Sequence, residues 1–385
     1  MKPFFIEAID TLFFRDGRPF EVGGEANLQV PPAPSTFYGA IRSALIAAGR
    51  GGLAAFKNGG EHEFKEWVGE DKDSEGFTAR LTIKGPLFAR KMGAYITRFF
   101  PLPRDLLIYE EKEKVFLVPT KLKPLPEDIV TNHKIKMLLI NPYSQSAEYR
   151  MLFLSEKLFQ KYLSGGIQEP YELHYGEDLL KIEDVYKSDF REGVSLKTRQ
   201  KNAETGRLFT MQHMALKSES NMQMGFYVEC EIPEVFQSNT LLRLGGDGKV
   251  AQFQPISVSE IDMQEVTTQI EKTKFFKIYL ATPAIFELGD ISQAMFNKSF
   301  DDSPGLEFEL ITAALGRGGM YGGYDVAVNV PKVSFPAVPA GSVFYFRLIK
   351  GSAEQVLQAF HEQCISDRRK NQGFGYSFVG GINHV

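Results

Sequence analysis

The sequence predicts an α+β fold of two ferredoxin-like domains with large insertions and a basic β-hairpin. Three observations carry that prediction. A strand followed by a helix opens the chain. The elements up to residue 258 complete a βα…ββαβ order, the RNA-recognition-motif-like arrangement. A polar stretch then separates this set from a second group of apolar strands and a helix.

Phe4–Phe14 is rich in aromatic and β-branched residues and reads as a strand, with Arg15–Pro19 as a turn. The proline run at Pro31, Pro32 and Pro34 ends an extended segment. Ser35 is the expected N-cap of a helix over Thr36–Ala48, in which Phe37, Ile41, Leu45 and Ala48 keep helical spacing. Residues 56–76 are acidic and read as a solvated stretch, part of a larger insertion at about 50–190. Within it, Ala79–Phe88 and the neighbourhoods of Leu106 and Val115 suit strands. A helix fits Ser155–Leu163, and the rest of 119–190 looks irregular.

The stretch 194–214 is a clearer unit. Val194–Lys201 and Arg207–Met214 flank the turn-like Asn202–Gly206, which predicts a long β-hairpin. Met224–Ile232 reads as a strand, Val235–Leu244 as a short helix closed by Gly245, and Val250–Val258 as a strand. Ile261–Thr273 is polar and marks the boundary between domains at 1–262 and 263–385. The second domain opens on the strand Phe275–Pro283. It continues with a strand at Val343–Ile349 and a helix at Ala353–Cys364, and closes in glycine-rich chain.

Composition narrows the function. The chain has 385 residues and a formal charge of −4, so any nucleic-acid contact must come from local patches. Two cysteines, Cys230 and Cys364, are too few for a disulfide framework or a cysteine zinc site, which points to a reducing cytoplasm. The first residues lack the unbroken apolar stretch of a signal peptide, and no run of about 18 apolar residues suits a membrane span.

Three glycine clusters punctuate the chain: Leu244–Lys249, Gly316–Gly323 and Arg368–Gly375. Glycine allows close backbone approach, and free N–H groups in such loops attract anions. Tight turns are the plain alternative. Neither of the first two clusters fits a nucleotide fingerprint: the first is too short for GxxxxGK[ST], and Tyr321 takes the last glycine position of GxGxxG in the second. Lys197, Arg199 and Lys201 alternate, with no acid between Val194 and Ala203, so a strand would carry all three on one face. Arg207 and Phe209 continue the returning strand, where an aromatic ring could stack on a base; a charge-protected edge strand is the alternative. The start of the first helix, Ser35, Thr36, Tyr38 and Arg42, offers N–H groups, hydroxyls and a guanidinium to phosphate, with ordinary capping as the alternative. The six histidines are scattered, no convincing metal site emerges, and no cofactor is expected.

At this point specific motifs match. Leu12–Phe20, then Pro31-Pro32-x-Pro34-Ser35-Thr36-x-x-Gly39-Ala40-x-Arg42, resemble the Cmr subunit three family, RAMP proteins of type III-B CRISPR effector complexes. The resemblance continues through Thr205–Phe209, Leu244–Lys249 and Pro339–Phe346, and ends at Gly373, Phe374 and Gly375. It implies a non-catalytic, cytoplasmic subunit that grips the 5′ repeat-derived tag of the CRISPR RNA. It also implies docking on the large polymerase-like subunit and the first backbone subunit, with target RNA met only indirectly and no membrane contact. The hairpin resembles the thumb that RAMP proteins press against the guide. On that reading the RNA-binding residues are Arg18, Ser35, Thr36, Tyr38, Arg42, Lys197, Arg199, Lys201, Arg207, Phe209, Arg243, Lys249, Arg317, Gly373, Phe374 and Gly375. Two alternatives remain. One is a metal-independent RNA endonuclease of the RAMP type, with His213 beside Lys197 or Lys201 as the candidate base. The other is a protein-only adaptor.

Overall fold

The computed structural model describes residues 1–15, 25–70, 78–112, 114–131, 135–143, 151–167, 170–196, 203–236, 239–291, 305–325 and 330–383, with the side chains of 25, 195–196 and 203–207 left aside. The main elements, in chain order, are β1 (Lys2–Ala8), α1 (Pro34–Ala48), β2 (Thr82–Met92), α2 (Glu156–Leu163), β3 (Tyr186–Leu196), β4 (Ala203–Leu216), β5 (Met222–Glu231), β6 (Thr240–Arg243), β7 (Val250–Pro255), α3 (Gln264–Thr273), β8 (Phe275–Leu280), β9 (Glu307–Ala314), β10 (Val343–Lys350), α4 (Ala353–Phe360) and β11 (Tyr376–Gly381). The chain is a mixed α+β protein with mostly antiparallel sheets. It divides into two compact units. The first holds Met1–Ile96, Val185–Val258 and Met320–Phe335, and the second Thr97–Asp184, Ser259–Gly319 and Pro336–Val385.

In the first unit the strands run β2–β5–β1–β7–β6. β1 is antiparallel to both neighbours, with Ile6 opposite Phe226 on one side and Phe253 on the other. Alternation places Phe4, Ile6, Phe226, Val228 and Phe253 on one face. α1 covers that face because Phe37, Ile41 and Leu45 recur at helical spacing and are fully buried. Phe4 stacks on Phe253 at 4.1 Å, and Phe37 meets Phe226 edge-on at 4.9 Å.

In the second unit the strands run β9–β10–β8–β11, with the short strand Gln363–Cys364 beyond. The two sheets therefore share one order: numbered by appearance, second, third, first, fifth, fourth. α4 starts with a reciprocal cap, in which Ser352 accepts from the Gln355 N–H and Gln355 accepts from the Ser352 N–H. α2 brings Phe159 onto Phe100 at 3.9 Å and onto Phe378 at 5.4 Å.

Several sequence expectations are corrected. Ser35 is not an N-cap: Pro34 takes the first helical position and Ala33 is the cap, since proline's missing N–H costs nothing there. The segment expected as a helix over Val235–Leu244 has, among its described residues, one 3₁₀ turn, Glu234–Phe236, and then β6. Leu242 is buried and Leu241 exposed, the period-2 pattern of a strand, and β6 pairs with β7. The polar stretch taken as a domain boundary contains a helix the sequence did not predict, α3, which needs only Val266 and Ile270, one turn apart, to dock. β1 stops at Ala8, short of Phe14, and α4 stops at Phe360. β4 already starts at Ala203, so the turn-like composition of 202–206 lies largely in a strand. Residues 119–190 are less irregular than expected, with short strands at Lys121–Pro124, Met137–Ile140, Leu152–Ser155, Tyr171–Leu173 and Leu179–Lys181.

Candidate nucleic-acid interface

Three segments singled out in the sequence meet in the first unit. The stretch Leu12–Phe14 lies between the hairpin and the Gly245–Lys249 loop. Leu12 exchanges backbone hydrogen bonds with Met214 of β4 at 2.9 and 2.8 Å. The Gly246 N–H donates to the Phe13 carbonyl at 2.8 Å. Gly245 sits at φ +80, and a Cβ there would overlap the Phe13 carbonyl oxygen, so only glycine lets the chains approach this closely. One residue on, Phe14 stacks on Phe37 of α1 at 5.9 Å.

The Gly245–Lys249 loop is the turn of the β6–β7 hairpin. Asp247 and Gly248 both have positive φ, +57 and +64, as the central pair of a type I′ turn requires. The Lys249 N–H donates to the Gly246 carbonyl at 3.3 Å, and the Leu244 N–H to the Lys249 carbonyl at 2.9 Å. The tight-turn alternative thus accounts for the backbone of this cluster.

The large hairpin is formed by β3 and β4, paired from Tyr186–Leu216 to Val194–Leu208, with a register shift before Leu196. Its two faces differ. Phe190, Val194 and Leu208 project from one face and are exposed, Phe190 to 66%. The other face carries Asp189, Arg191, Met211 and His213. Phe209 lies over Gly193, whose missing side chain makes room for the ring.

A charge network closes the root of this second face. The Asp189 carboxylate accepts from Arg191 Nε at 2.9 Å. Asp10 Oδ2 faces Arg191 at 3.6 Å and Lys249 Nζ at 3.5 Å. Lys249 is also 3.8 Å from Asp247. His213 is fully buried, stacked on Phe13 at 5.0 Å, with Nδ1 paired to the Thr11 hydroxyl at 3.2 Å. Its Nε2 has no hydrogen-bond partner and lies 3.9 Å from Asp247 Oδ2. Burial, then Arg191 and Lys249, hold the His213 imidazole below its usual range, against the pull of Asp247 and Asp189. The Thr11 N–H, then Lys249 and Arg191, lower the Asp10 carboxyl.

The sequence-predicted residues distribute as follows. Ser35 and Thr36 are half-buried in the first turn of α1, and Tyr38 is buried. Arg42 donates to the carbonyls of Val68 and Glu70, both at 2.7 Å, and covers Phe56. Arg207 and Phe209 lie on β4, Arg243 is exposed at the end of β6, and Lys249 is largely buried in the charge network. In the second unit Arg317 is exposed, whereas Gly373, Phe374 and Gly375 are buried and the Gly373 carbonyl accepts from Thr282. Arg18, Lys197, Arg199 and Lys201 lie outside the described residues.

Sequence reasoning missed Asp10, Asp189, Arg191 and Asp247. One signal was available: an Asp-Gly pair between alternating apolar residues marks a hairpin turn and would have placed Asp247 at its tip. It also missed the burial of aromatic residues on the face of the first sheet opposite α1. Phe5 and Tyr227, paired at its centre, are buried, so neither offers an open ring to a base. In the first unit, burial pushes the Tyr321 hydroxyl up to about 12, opposed by its hydrogen bond with Gln29. Among the described residues, no cluster of histidine, cysteine and carboxylate side chains could hold a metal ion, and no helix is long and apolar enough to cross a membrane.

The family model described as CRISPR-associated protein (Cas_Cmr3) matches residues 4–381. No curated protein matches the chain. Similar solved structures come from cryo-electron microscopy of type III-B Cmr-beta. One, bound to cognate target RNA and AMPPnP in state 1, is 14% identical with a TM-score of 0.48, covering 89% of this chain and 86% of that one. A second, bound to cognate target RNA, is 15% identical with a TM-score of 0.47 and the same coverage. An apo state is 13% identical, with a TM-score of 0.28, covering 68% of this chain and 98% of that one.

Proposed function

The chain belongs to the Cas_Cmr3 family of CRISPR-associated proteins, and we propose that it is a non-catalytic RNA-gripping subunit of a type III-B Cmr effector complex. In this reading it binds the 5′ repeat-derived tag of the CRISPR RNA. It docks the large polymerase-like subunit and the first backbone subunit, and meets target RNA only through the guide. The observation that carries the reading is the meeting of Leu12–Phe14, the β3–β4 hairpin and the Gly245–Lys249 loop in one place, all three being segments that resemble the family. The hairpin leads directly into the run bearing Lys197, Arg199 and Lys201, a local cationic patch on a chain of net charge −4. Phosphate contacts by such a patch position an RNA without reading its sequence.

Each unit is proposed to be a ferredoxin-like domain. The shared strand order supports this, because two crossover connections joined by a hairpin place the third strand beside the first. The non-catalytic role is supported by the burial of His213, whose ring has no exposed nitrogen to offer a scissile phosphate.

The test is binding of labelled CRISPR RNA, with and without its tag, by the chain alone and with the large subunit, over a salt series. Tag-dependent binding without cleavage is expected. Replacing Lys197, Arg199 and Lys201 by alanine should weaken it and flatten the salt slope by about 0.7 per lost phosphate contact. Cleavage of the RNA would establish the nuclease instead. Binding that ignores both tag and variant would leave a protein adaptor.

A further inference from the structure

We propose that Arg191 and Lys249 form a phosphate-binding pair at the root of the hairpin, with the Asp10 carboxylate as a resident occupant that an RNA phosphodiester displaces. This deepens the RNA-binding reading above and rests on it for the identity of the ligand.

Toward its two cations Asp10 is a loosely held anion, although the Thr11 N–H anchors its carboxylate. One oxygen, Oδ2, serves both cations, at 3.6 Å from Arg191 and 3.5 Å from Lys249. Both distances exceed those of formed charge-assisted hydrogen bonds, about 2.7–2.9 Å. The Asp10 side chain is 68% exposed, so its ion pairs are weakened by water and salt. Asp189 behaves differently: it grips Arg191 at 2.8 and 2.9 Å and aims the guanidinium rather than filling it. Arginine carries five N–H donors, and this grip leaves several of them for a second acceptor.

Lys249 supplies the second, independent observation. Its side chain is only 12% exposed, yet its carboxylate contacts are 3.5 and 3.8 Å long. An ammonium held at these distances has room for a shorter charge-assisted bond, and an incoming phosphate oxygen would supply one. His213 Nε2, buried and without a hydrogen-bond partner, lies against the same turn, 3.9 Å from Asp247. A carboxylate offers two oxygens on one plane. The two non-bridging oxygens of a phosphodiester stand wider apart on a tetrahedral phosphorus, so one can face the guanidinium and the other the ammonium.

The exchange has a distinctive signature. Neutralising a phosphate frees cations condensed on the RNA; in wild type the displaced Asp10 carboxylate takes up cation in their place, so the pair adds little to the salt dependence of binding. With Asp10→Asn no carboxylate is set free, and the pair should contribute in full.

The experiment uses the full chain as wild type, Asp10→Asn, Lys249→Ala and the double variant, with Asp10→Ala as a second probe of position 10. Two readouts are taken: affinity for labelled guide RNA over a salt series, and the shift in melting midpoint with inorganic phosphate against chloride at equal ionic strength. Asp10→Asn is expected to bind guide about fivefold tighter at low salt, with a slope steeper by about 0.7. Phosphate should stabilise Asp10→Asn more than wild type, and adding Lys249→Ala should abolish both gains. No change in either readout, or gains that survive in the double variant, would overturn the proposal. If wild type fails to bind guide while phosphate still stabilises Asp10→Asn through Lys249, the anion site stands and the guide-binding reading falls. If guide binds and Asp10→Asn is inert in both readouts, the site falls and the reading stands.

Discussion

The Tyr345 hydroxyl donates to Asp105 Oδ2 at 2.5 Å, joining residues 240 apart in the chain. The Tyr162 hydroxyl reaches the same carboxylate at 2.9 Å, and Lys277 Nζ completes the cluster at 3.5 Å, seated 3.4 Å from the centre of the Tyr162 ring. Burial, then the Asp105 charge, pushes both phenols well above their ordinary range, while burial pulls the Lys277 ammonium down against Asp105. This cluster ties the strand–helix stretch around 97–184 to the β8–β10 sheet within the second unit.

Removing the carboxylate would leave Lys277 buried without a counter-charge. Asp105→Ala is expected to lower stability by about 3–5 kcal/mol. Tyr345→Phe, which deletes one hydroxyl, should cost about 1–2 kcal/mol. Urea denaturation of the two variants checks both values, and a smaller loss for Asp105→Ala than for Tyr345→Phe would contradict the account.

Arg42 holds the end of the short helix Lys65–Val68 by two carbonyl bonds, beside the chain's lone tryptophan, Trp67. Arg42→Ala should cost about 1–3 kcal/mol and change Trp67 fluorescence even without RNA. An unchanged emission spectrum together with weakened RNA binding would instead assign Arg42 to the ligand.

His213 titrates below its ordinary value of 6.5 in the folded chain. The unfolded chain therefore binds the proton first as pH falls. Stability from this group is present above about pH 6.5 and is lost between 6.5 and the lower folded value. A thermal-melt series should show that decline, and His213→Gln should flatten it, whatever its effect on the midpoint.

Two glycines separate backbone need from side-chain room. Gly245→Ala meets a carbonyl at positive φ and is expected to cost about 1–3 kcal/mol. Gly193→Ala meets only the tip of the Phe209 ring, which can swing aside. Its cost should stay below about 1 kcal/mol, with a shift of the Phe209 ring resonances in NMR spectra as the readout.

The elements with strong local signals were legible. α1 announces itself by prolines and by Phe37, Ile41 and Leu45, and α2 by the run around Phe159. β6 was read as a helix because Leu241 and Leu242 suit either state, and only pairing with β7 decides it. α3 escaped the sequence because its burial rests on two residues, Val266 and Ile270. At the candidate site, Lys249 and the glycine loop were legible as a motif. Their ion partners Asp10 and Arg191 were not, since charge pairing across the chain leaves no periodic trace in sequence.

By itself the sequence determined the α+β class, the local cationic run at Lys197–Lys201 and the segments that resemble one family, because composition, periodicity and turn chemistry are properties of neighbouring residues. Only the tertiary structure decided that Asp10, Arg191, His213 and Lys249 share one small volume, and that Asp105, Tyr162, Lys277 and Tyr345 share another. The reason is physical. Electrostatic and hydrogen-bond partners are selected by distance in space, and strand pairing sets that distance between residues that chain order keeps far apart.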